Sequence, residues 1–595
     1  MVQTSQFLRQ VTLFAPLDDD LRGAIAAQSR PVTLPAGQWL FRQGDVGDAL
    51  YVVRTGRLEV VVEGSSSSRV VNVLKRGAVL GELALVTDEP RVASVRAVRD
   101  SELLAVDRAQ FEHLLETNGP FALALTKSLA SLLQAGTKPQ RHGTQHGVLT
   151  LLPHGPVPRV QEIAGIVERE LARTRTVATV STFSPPSGGE TPAQMLDRAE
   201  EECDHVLLVG SSPEDRAAGS GEWTEFCVRQ ADRVVVLATA GTPPPSEEQA
   251  SLRGCDVAIV GRRPTAQELA PWLDQAQARA VHWVPDDARH DAAVERLTRR
   301  ITNQSLGVVL SGGGARGLAH IGAVQALEEH GLALDRFGGT SFGAFVGALY
   351  ASGLSTDEVM SLCRREFVER RPFSDYTVPR VSLLRGKRAF SVLKRLFGPA
   401  QIEELPLSWY SVSADLLNAE AVIHRRGPVA DAVMASASLP GLAPPRVSAD
   451  RILVDGGVLN NLPIDAMADT GEGPVVAIDV MKRWGDHWQQ RQRQRRRRDR
   501  WFTSTSDDGM PPPTIAETIS AVSSLGSRQL AERTRGQAAL TVVPDLADFE
   551  LLDWKRLEEI VEAGRRATVA ALKAMPGDAL GQGGADHDLI ANTGP

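Results

Sequence analysis

The chain has 595 residues, of which 42% are hydrophobic and 23% charged, and its formal net charge is -8 at pH 7. This length predicts several domains that each bury a core, and the composition excludes a disordered or fibrous protein. The negative charge excludes a global attraction to nucleic acid or anionic lipid, so any such binding must be local.

The four cysteines are widely spaced, at Cys203, Cys227, Cys255 and Cys363. This spacing predicts neither a disulfide framework nor a metal site. The chain has no run of 18 or more apolar residues, and its first residues, MVQTSQFLRQ, lack the pattern of a signal peptide. We therefore expect a cytoplasmic protein that touches membranes only from outside and binds no nucleic acid.

The first part of the chain, residues 1–136, predicts a small β-barrel or jelly roll followed by helices. Short apolar runs such as 49–53 and 57–62 alternate with turn residues, and helical periodicity begins at Arg108. Residues 137–147 are polar and predict a linker.

Two α/β domains are predicted after this linker, over residues 148–305 and 306–576, because apolar runs alternate with amphipathic segments in both. The first of them carries no motif with recognisable chemistry, and we interpret it as a structural or docking domain. The second contains an arginine-rich insertion, residues 482–513, and residues 577–595 after it predict a loose tail. The predicted fold class is multidomain, a β-barrel followed by two α/β regions.

A glycine-rich turn follows the apolar run 307–310. Gly312, Gly314 and Gly317 satisfy G-x-G-x-x-G, the dinucleotide-binding fingerprint, and Asp335 follows at roughly the spacing of its ribose-binding acid. Asp335 precedes the next strand-like segment rather than following one, which weakens that interpretation.

A second turn argues for different chemistry. Gly339 to Gly343 form G-x-S-x-G around Ser341, where glycines allow a sharp strand-to-helix turn that exposes the hydroxyl. Asp455 ends the apolar run 451–454 and begins a D-G-G sequence. Because strand ends converge on one crevice in open α/β sheets, we expect both residues to meet the first turn there.

Together these residues predict acyl-ester chemistry. Asp455 would take the proton of the Ser341 hydroxyl, and attack on an ester would place negative charge on oxygen. Backbone N–H groups at a helix start suit that charge, so we predict an oxyanion hole built from Gly312, Gly313, Gly314 and Arg316. Three further residues have a structural alternative: Asp415 and Asp479 could be rival bases or structural acids, and His320 is expected to be packed or capping.

At these elements the chain resembles the patatin-like phospholipases. The resemblance rests on the turn 312–317, the elbow 339–343, the D-G-G sequence 455–457 and the intervening segment 435–440, in order across about 270 residues. It implies a serine–aspartate dyad, an acyl-serine intermediate, hydrolysis of phospholipid or lysophospholipid esters, and no metal or other cofactor for catalysis.

The barrel carries a short polar cassette, with Gly81 and Glu82 ten residues before Arg91 and Val92. A carboxylate for a ribose hydroxyl and a bidentate cation for phosphate oxygens are what a cyclic nucleotide requires. The cassette resembles that of cyclic-nucleotide-binding domains. Val92 lacks the hydroxyl of guanine-selective members, so the resemblance implies cAMP as a regulatory ligand. The alternative is that Glu82 and Arg91 only pair with each other.

The three regions together resemble the neuropathy-target-esterase class of lysophospholipases. The predicted function is therefore a serine esterase acting on lysophospholipids or phospholipids and modulated by a cyclic nucleotide. The alternative is a non-catalytic, nucleotide-sensing adaptor with a degenerate hydrolase domain. The arginine-rich run Arg491–Arg500, flanked by tryptophans, suggests peripheral contact with lipid, and a solvated charged loop is the other interpretation.

Overall fold

A computed structural model describes residues 2–63, 68–137, 147–181, 192–212, 221–245, 252, 254–378, 380–448, 450–481, 522, 524–575 and 580. The chain divides into two compact units, residues 1–258 with 274–280, and residues 259–273 with 281–595. Most of the predicted linker 137–147, the arginine-rich insertion 482–513 and the tail 577–595 lie outside the described residues, and so does Arg491–Arg500.

The first unit begins with an antiparallel sheet of six strands, in the order β1-β6-β3-β4, with β2 beside β6 and β5 beside β3. The elements are α1 (Val2–Gln10), α2 (Asp19–Gln28), β1 (Arg30–Leu34), β2 (Trp39–Phe41), β3 (Ala49–Glu63), β4 (Ser68–Leu74), β5 (Val79–Leu80), α3 (Glu82–Thr87), β6 (Ser94–Asp107), α4 (Arg108–Thr117) and α5 (Gly119–Thr137). The two apolar runs 49–53 and 57–62 form one strand, β3, because the irregularity at Gly56, with φ 92°, does not end the pairing with β6.

The first unit continues with a parallel sheet in the order β10-β7-β9-β8. Its elements are β7 (Gly147–Pro153), α6 (Val160–Ala172), β8 (Val177–Ser181), α7 (Pro192–Glu202), β9 (His205–Val209), α8 (Gly221–Gln230) and β10 (Arg233–Thr239). Buried arginines join this sheet to the barrel, since Arg57 pairs with Asp232, and Arg99 Nη2 lies 2.7 Å from Glu200 Oε2.

The division between the two units runs through the next strands. These elements are β11 (Asp256–Val260), α9 (Ala266–Asp274), β12 (Ala280–Val284) and α10 (His290–Ile301).

The second unit is built on a mixed sheet in the order β17-β18-β15-β14-β13-β19-β20, with β16 beside β15. Its elements are β13 (Leu306–Leu310), α11 (Ala319–Glu329), β14 (Leu334–Thr340), α12 (Phe342–Ala351), α13 (Thr356–Cys363), α14 (Lys387–Phe397), β15 (Ser408–Asp415), β16 (Glu420–His424), α15 (Val429–Ser436), β17 (Arg446–Val447), β18 (Ile452–Asp455), α16 (Ile464–Ala468), β19 (Val475–Ile478), α17 (Leu525–Thr534), β20 (Leu540–Val542) and α18 (Leu557–Ala574). The five strands from β15 to β20 in this order are parallel, whereas β16 and β18 run antiparallel to β15.

The centre of this sheet is covered on both faces, which is why β13 is apolar throughout and all five of its residues are buried. Every residue of α12 is buried as well. The carboxyl ends of β13 and β14 therefore lie side by side at one edge of a closely packed core. The predicted class, a jelly roll followed by α/β regions, is confirmed. Within the described residues, no helix combines the length and apolar character needed to span a bilayer.

Candidate active site

Ser341 occupies a strained turn between β14 and α12. Its backbone has φ 57° and ψ -124°, a conformation that non-glycine residues seldom adopt and that must be held by its surroundings. Those surroundings are close-packed, because a Cβ added at Gly343 would lie 2.3 Å from the carbonyl oxygen of Leu310. Only glycine fits at that position, so the sequence G-x-S-x-G here has a steric reason.

The Ser341 hydroxyl and the Asp455 carboxylate are in direct contact, with Oγ donating to Oδ2 over 2.7 Å. Strand β15 lies between their two strands and sets this distance. Val412 of β15 pairs with Thr340, and Ser413, the next residue, pairs with Asp455. The carboxylate is held from its other side, because Oδ1 accepts the N–H of Gly457 at 2.8 Å.

Burial raises the pKa of Asp455 to about 6, since the carboxylate is only 3% exposed and loses hydration. Hydrogen bonds from Ser341 and from the Gly457 N–H oppose this rise in pKa by favouring the charged form. The carboxylate is therefore ionised at neutral pH, and its proton affinity is higher than that of an exposed aspartate. Both properties suit a general base.

The last residue of α15 and the segment that follows this helix contact both residues. The Ser341 N–H donates to Ser436 Oγ at 2.8 Å, and the Asp455 N–H donates to the carbonyl oxygen of Ser438 at 2.9 Å. Ser436 Oγ in turn donates to the carbonyl oxygen of Val412 on β15. The sequence marks 435–440 only through the family resemblance, and the contacts assign this segment a positioning role that no residue pattern indicated.

The glycine turn lies against Ser341, because a Cβ at Gly312 would be 3.0 Å from Ser341 Cβ. The Gly312 N–H already donates to the carbonyl oxygen of Asn461 at 3.3 Å. Among the described residues, the N–H groups of Gly313 and Gly314 have no acceptor. Arg316 is half-buried, its Nε donates to the Gly313 carbonyl over a long 3.4 Å, and burial lowers the pKa of its guanidinium.

The other acidic and imidazole groups weighed from the sequence are engaged elsewhere. Asp335 lies within β14 rather than before it, which corrects the position expected from the sequence, and it receives two hydrogen bonds from Arg299. Asp479 receives one from Arg535. Asp415 accepts from the Leu417 N–H and from the side-chain amide of Asn418, close to its own strand end.

His320 is fully buried, and one of its ring nitrogens bonds the Ser311 carbonyl at 2.8 Å. Burial lowers the pKa of His320 to about 4, so the ring is neutral at physiological pH. This position agrees with a packed histidine that supports the turn.

A cavity of about 830 Å³ opens beside Ser341, Asp455 and the glycine turn. Its wall beyond them is largely apolar and includes Phe342, Phe345, Phe367, Phe373, Leu393 and Trp554. Phe367 and Trp554 stack with their ring centroids 4.8 Å apart. A chamber of this size and character suits an apolar ligand that places one polar group at the serine.

The cassette of the barrel has its own geometry. Arg91 is buried and donates to the carbonyl oxygens of Gly81 and Ala49, both at 2.8 Å, and to Asp48 Oδ1 at 3.1 Å. Its guanidinium also lies over the ring of Phe41, 4.2 Å from the centroid. The acid beside Arg91 is thus Asp48, a residue that the sequence analysis did not single out.

Glu82 is buried at the first position of α3, and burial raises the pKa of its carboxyl group. Val92, next to Arg91, has 58% of its surface exposed. No ion pair joins Glu82 to Arg91 among the described residues, although Arg91 lowers the pKa of Glu82 electrostatically.

Comparison with known proteins identifies two domain families. Residues 308–468 match the patatin-like phospholipase family, and residues 31–118 match the cyclic nucleotide-binding domain. The first match contains Ser341, Asp455 and the glycine turn, and the second contains Glu82 and Arg91. Among solved structures, the chain is similar to the regulatory domain of Toxoplasma gondii PKA with cAMP, at 27% identity over 22% of this chain and 49% of that one, with a TM-score of 0.21.

Similarity to relatives extends over nearly the whole chain. An NTE family protein of Mycobacterium tuberculosis is 32% identical over 96% of this chain and 96% of its own length. Lysophospholipase nte1 of Neurospora crassa is 26% identical over 90% of this chain, which corresponds to 41% of the fungal protein. Because the alignment with the mycobacterial protein covers nearly the whole of both chains, this chain belongs to the NTE family and is a patatin-like hydrolase.

Proposed function

We propose that this chain is a serine esterase that cleaves the acyl ester of lysophospholipids, with Ser341 as nucleophile and Asp455 as its base. The observation that carries the proposal is the 2.7 Å hydrogen bond from Ser341 Oγ to a buried, ionised carboxylate at the mouth of an apolar cavity. A hydroxyl in this position loses its proton as it attacks a carbonyl carbon.

The developing oxyanion would be received by the glycine turn. The N–H groups of Gly313 and Gly314 are the best placed because they have no other acceptor among the described residues, while Gly312 contributes only if it releases Asn461. Arg316 would add positive charge beside the turn. Each such donor contributes about 3 kcal/mol to lowering the barrier. Asp455 then returns the proton to the leaving alkoxide. In the second half-reaction it takes a proton from the water that attacks the acyl-serine, and it passes that proton to Ser341 Oγ as the acyl–oxygen bond breaks and the fatty acid leaves.

The cavity and the relatives support the proposed substrate class. Its apolar wall suits a single fatty acyl chain, and the fungal relatives that align with 89% and 90% of this chain are named lysophospholipases. We therefore favour a substrate with one acyl chain over a diacyl phospholipid.

The test is a panel of esters incubated with the purified full chain: lysophosphatidylcholine, diacyl phosphatidylcholine, a monoacylglycerol and p-nitrophenyl butyrate. We expect the release of fatty acid from lysophosphatidylcholine to exceed that from the diacyl lipid by tenfold or more, as roughly 1.4 kcal/mol of lost fit would give. Fatty-acid release is measured by mass spectrometry. Equal rates of hydrolysis of the mono- and diacyl lipids would contradict the proposed substrate. The absence of hydrolysis of all four esters would contradict the proposed esterase activity.

We also propose that the barrel binds cAMP, with Arg91 on the phosphate and Glu82 on the ribose. The Asp48 carboxylate competes with the phosphate, because it lies 3.1 Å from Arg91 and is itself largely exposed. A bound phosphate would replace Asp48 as the partner of that guanidinium nitrogen.

Calorimetric titration with cAMP tests this site. We expect Arg91→Gln to weaken binding at least tenfold, as the loss of a charge-assisted hydrogen bond predicts. Asp48→Asn should strengthen binding roughly threefold, because it removes the competing charge. Arg96→Gln is the matched control, since Arg96 pairs with Glu59 on the same barrel. Equal cAMP affinities for the wild type and Arg91→Gln would refute the site. Identical ester turnover with and without saturating cAMP would refute the predicted modulation of the esterase by a cyclic nucleotide.

A further inference from the structure

The hairpin and helix from Arg370 to Phe397 form one wall of the active-site cavity. A bridge between Tyr376 and Leu384, with the Thr377 N–H donating to the Leu383 carbonyl at 2.9 Å, closes a short hairpin that leads into α14. The inner side of this segment faces the cavity through Phe373, Leu384 and Val392.

The outer side of the hairpin is unusually apolar. Tyr376, Val378, Val381 and Leu383 are 69%, 75%, 69% and 48% exposed, although they lie within eight residues of one another. Single exposed apolar side chains are ordinary in globular proteins, but a cluster of four on one hairpin marks an interaction surface.

The same segment is strongly basic. From Arg370 to Arg388 it has six basic residues and one acidic residue, Asp375. Arg370 and Arg388 are engaged, by Glu366 and by Ser374 respectively. Four others form no ion pair with any described residue, namely Arg371, Arg380, Arg385 and Lys387. Their charge is available to an external anion.

A segment in which exposed apolar and basic residues alternate along the chain has the composition of a protein surface that inserts into the headgroup region of anionic lipid. A tyrosine in such a segment suits the boundary between acyl chains and water. Residues of the segment also line the cavity that contains Ser341, so a bilayer that binds to it would lie close to that cavity. Charge and continuity with the cavity therefore indicate the same partner.

We propose that the 371–388 segment docks the chain onto an anionic lipid surface and presents the cavity to it. This inference rests on the proposed lipid-ester function for its purpose, but the docking itself does not require catalysis. It assigns membrane contact to described residues that are separate in sequence from Arg491–Arg500.

Vesicle sedimentation with the full chain tests the docking, using Ser341→Ala so that no lipid is hydrolysed. The vesicles are phosphatidylcholine alone and equimolar phosphatidylcholine with phosphatidylglycerol. We expect Arg380→Gln with Arg385→Gln to weaken binding to the anionic vesicles by about fivefold per charge. Val378→Asp with Val381→Asp should weaken it by more than about tenfold.

The matched controls alter equally exposed side chains elsewhere. Val46→Asp changes a valine that is 81% exposed, and Arg173→Gln with Arg566→Gln removes two exposed charges. We expect both controls to bind vesicles as the parent does. All variants change surface positions, so unchanged melting temperatures are expected to accompany these results.

Failure of the docking and failure of the esterase are distinguishable. With Ser341 restored, the hairpin variants should hydrolyse monomeric p-nitrophenyl butyrate at the wild-type rate but vesicle-bound lysophospholipid at least tenfold more slowly. Three outcomes would overturn the docking. The Ser341→Ala parent does not bind anionic vesicles, the hairpin variants bind them as well as this parent does, or the control variants lose binding to the same extent. Vesicle binding without hydrolysis of any ester would leave the docking supported and refute the esterase.

Discussion

Replacing Ser341 by alanine should abolish ester hydrolysis, with kcat lower by about 10⁵–10⁶-fold, as the removal of an activated serine nucleophile predicts. The substitution keeps Cβ and removes only Oγ, so the hydrogen bond to Asp455 is the contact that is lost. Fatty-acid release and covalent labelling by a fluorophosphonate probe are the two measurements.

Ser352→Ala is the control for this experiment. Ser352 directly follows α12, the helix that begins after Ser341. Its hydroxyl donates to the Ala348 carbonyl at 2.8 Å, and it does not line the cavity. We expect this variant to label and turn over as the wild type does. If the probe labels Ser341→Ala and wild type equally, Ser341 is not the nucleophile. Absence of labelling in the wild type would favour a non-catalytic, nucleotide-sensing adaptor.

Replacing Asp455 by asparagine should lower kcat by roughly 10³–10⁴-fold, because a positioned general base is lost while the shape of the site is kept. The wild-type rate should also depend on pH in a defined direction. With the pKa of Asp455 near 6, the carboxylate is protonated below that pH, so the rate falls as pH decreases through about 6. In Asp455→Asn the residual rate should lack this acid limb.

Asp415→Asn is the matched control for the base. Asp415 also ends a strand, but its oxygens accept hydrogen bonds from Leu417 and Asn418, and it does not line the cavity. We expect its kcat to stay within about threefold of the wild type. A pH profile that keeps its acid limb in Asp455→Asn would assign the base to another group.

The sequence predicted the elements of the site because each has a local steric cause. Gly343 lies so close to the Leu310 carbonyl that no side chain fits there, and the glycine that this contact requires is visible in the sequence. The fold class could be predicted because burial on both faces leaves a continuous apolar run in a strand such as β13. The domain limits and the roles of the site residues stay predictions.

Other features could not be predicted, because they depend on contacts between distant segments. Asp48 lies 43 positions from Arg91, and only the folded barrel brings them together. The exposure of Val378 and Val381 cannot be read from the sequence either, because an apolar residue in a loop is as readily buried as exposed. Strands β16 and β17 are short edge strands without a distinct pattern.

The contacts of Ser436 and Ser438 have a further consequence. A single stretch of chain fixes the main chain of the hydroxyl-bearing residue and that of the carboxylate-bearing residue, over 2.8 Å and 2.9 Å. A displacement there would shift both partners at once, so a substitution in this stretch would disturb the nucleophile and the base together.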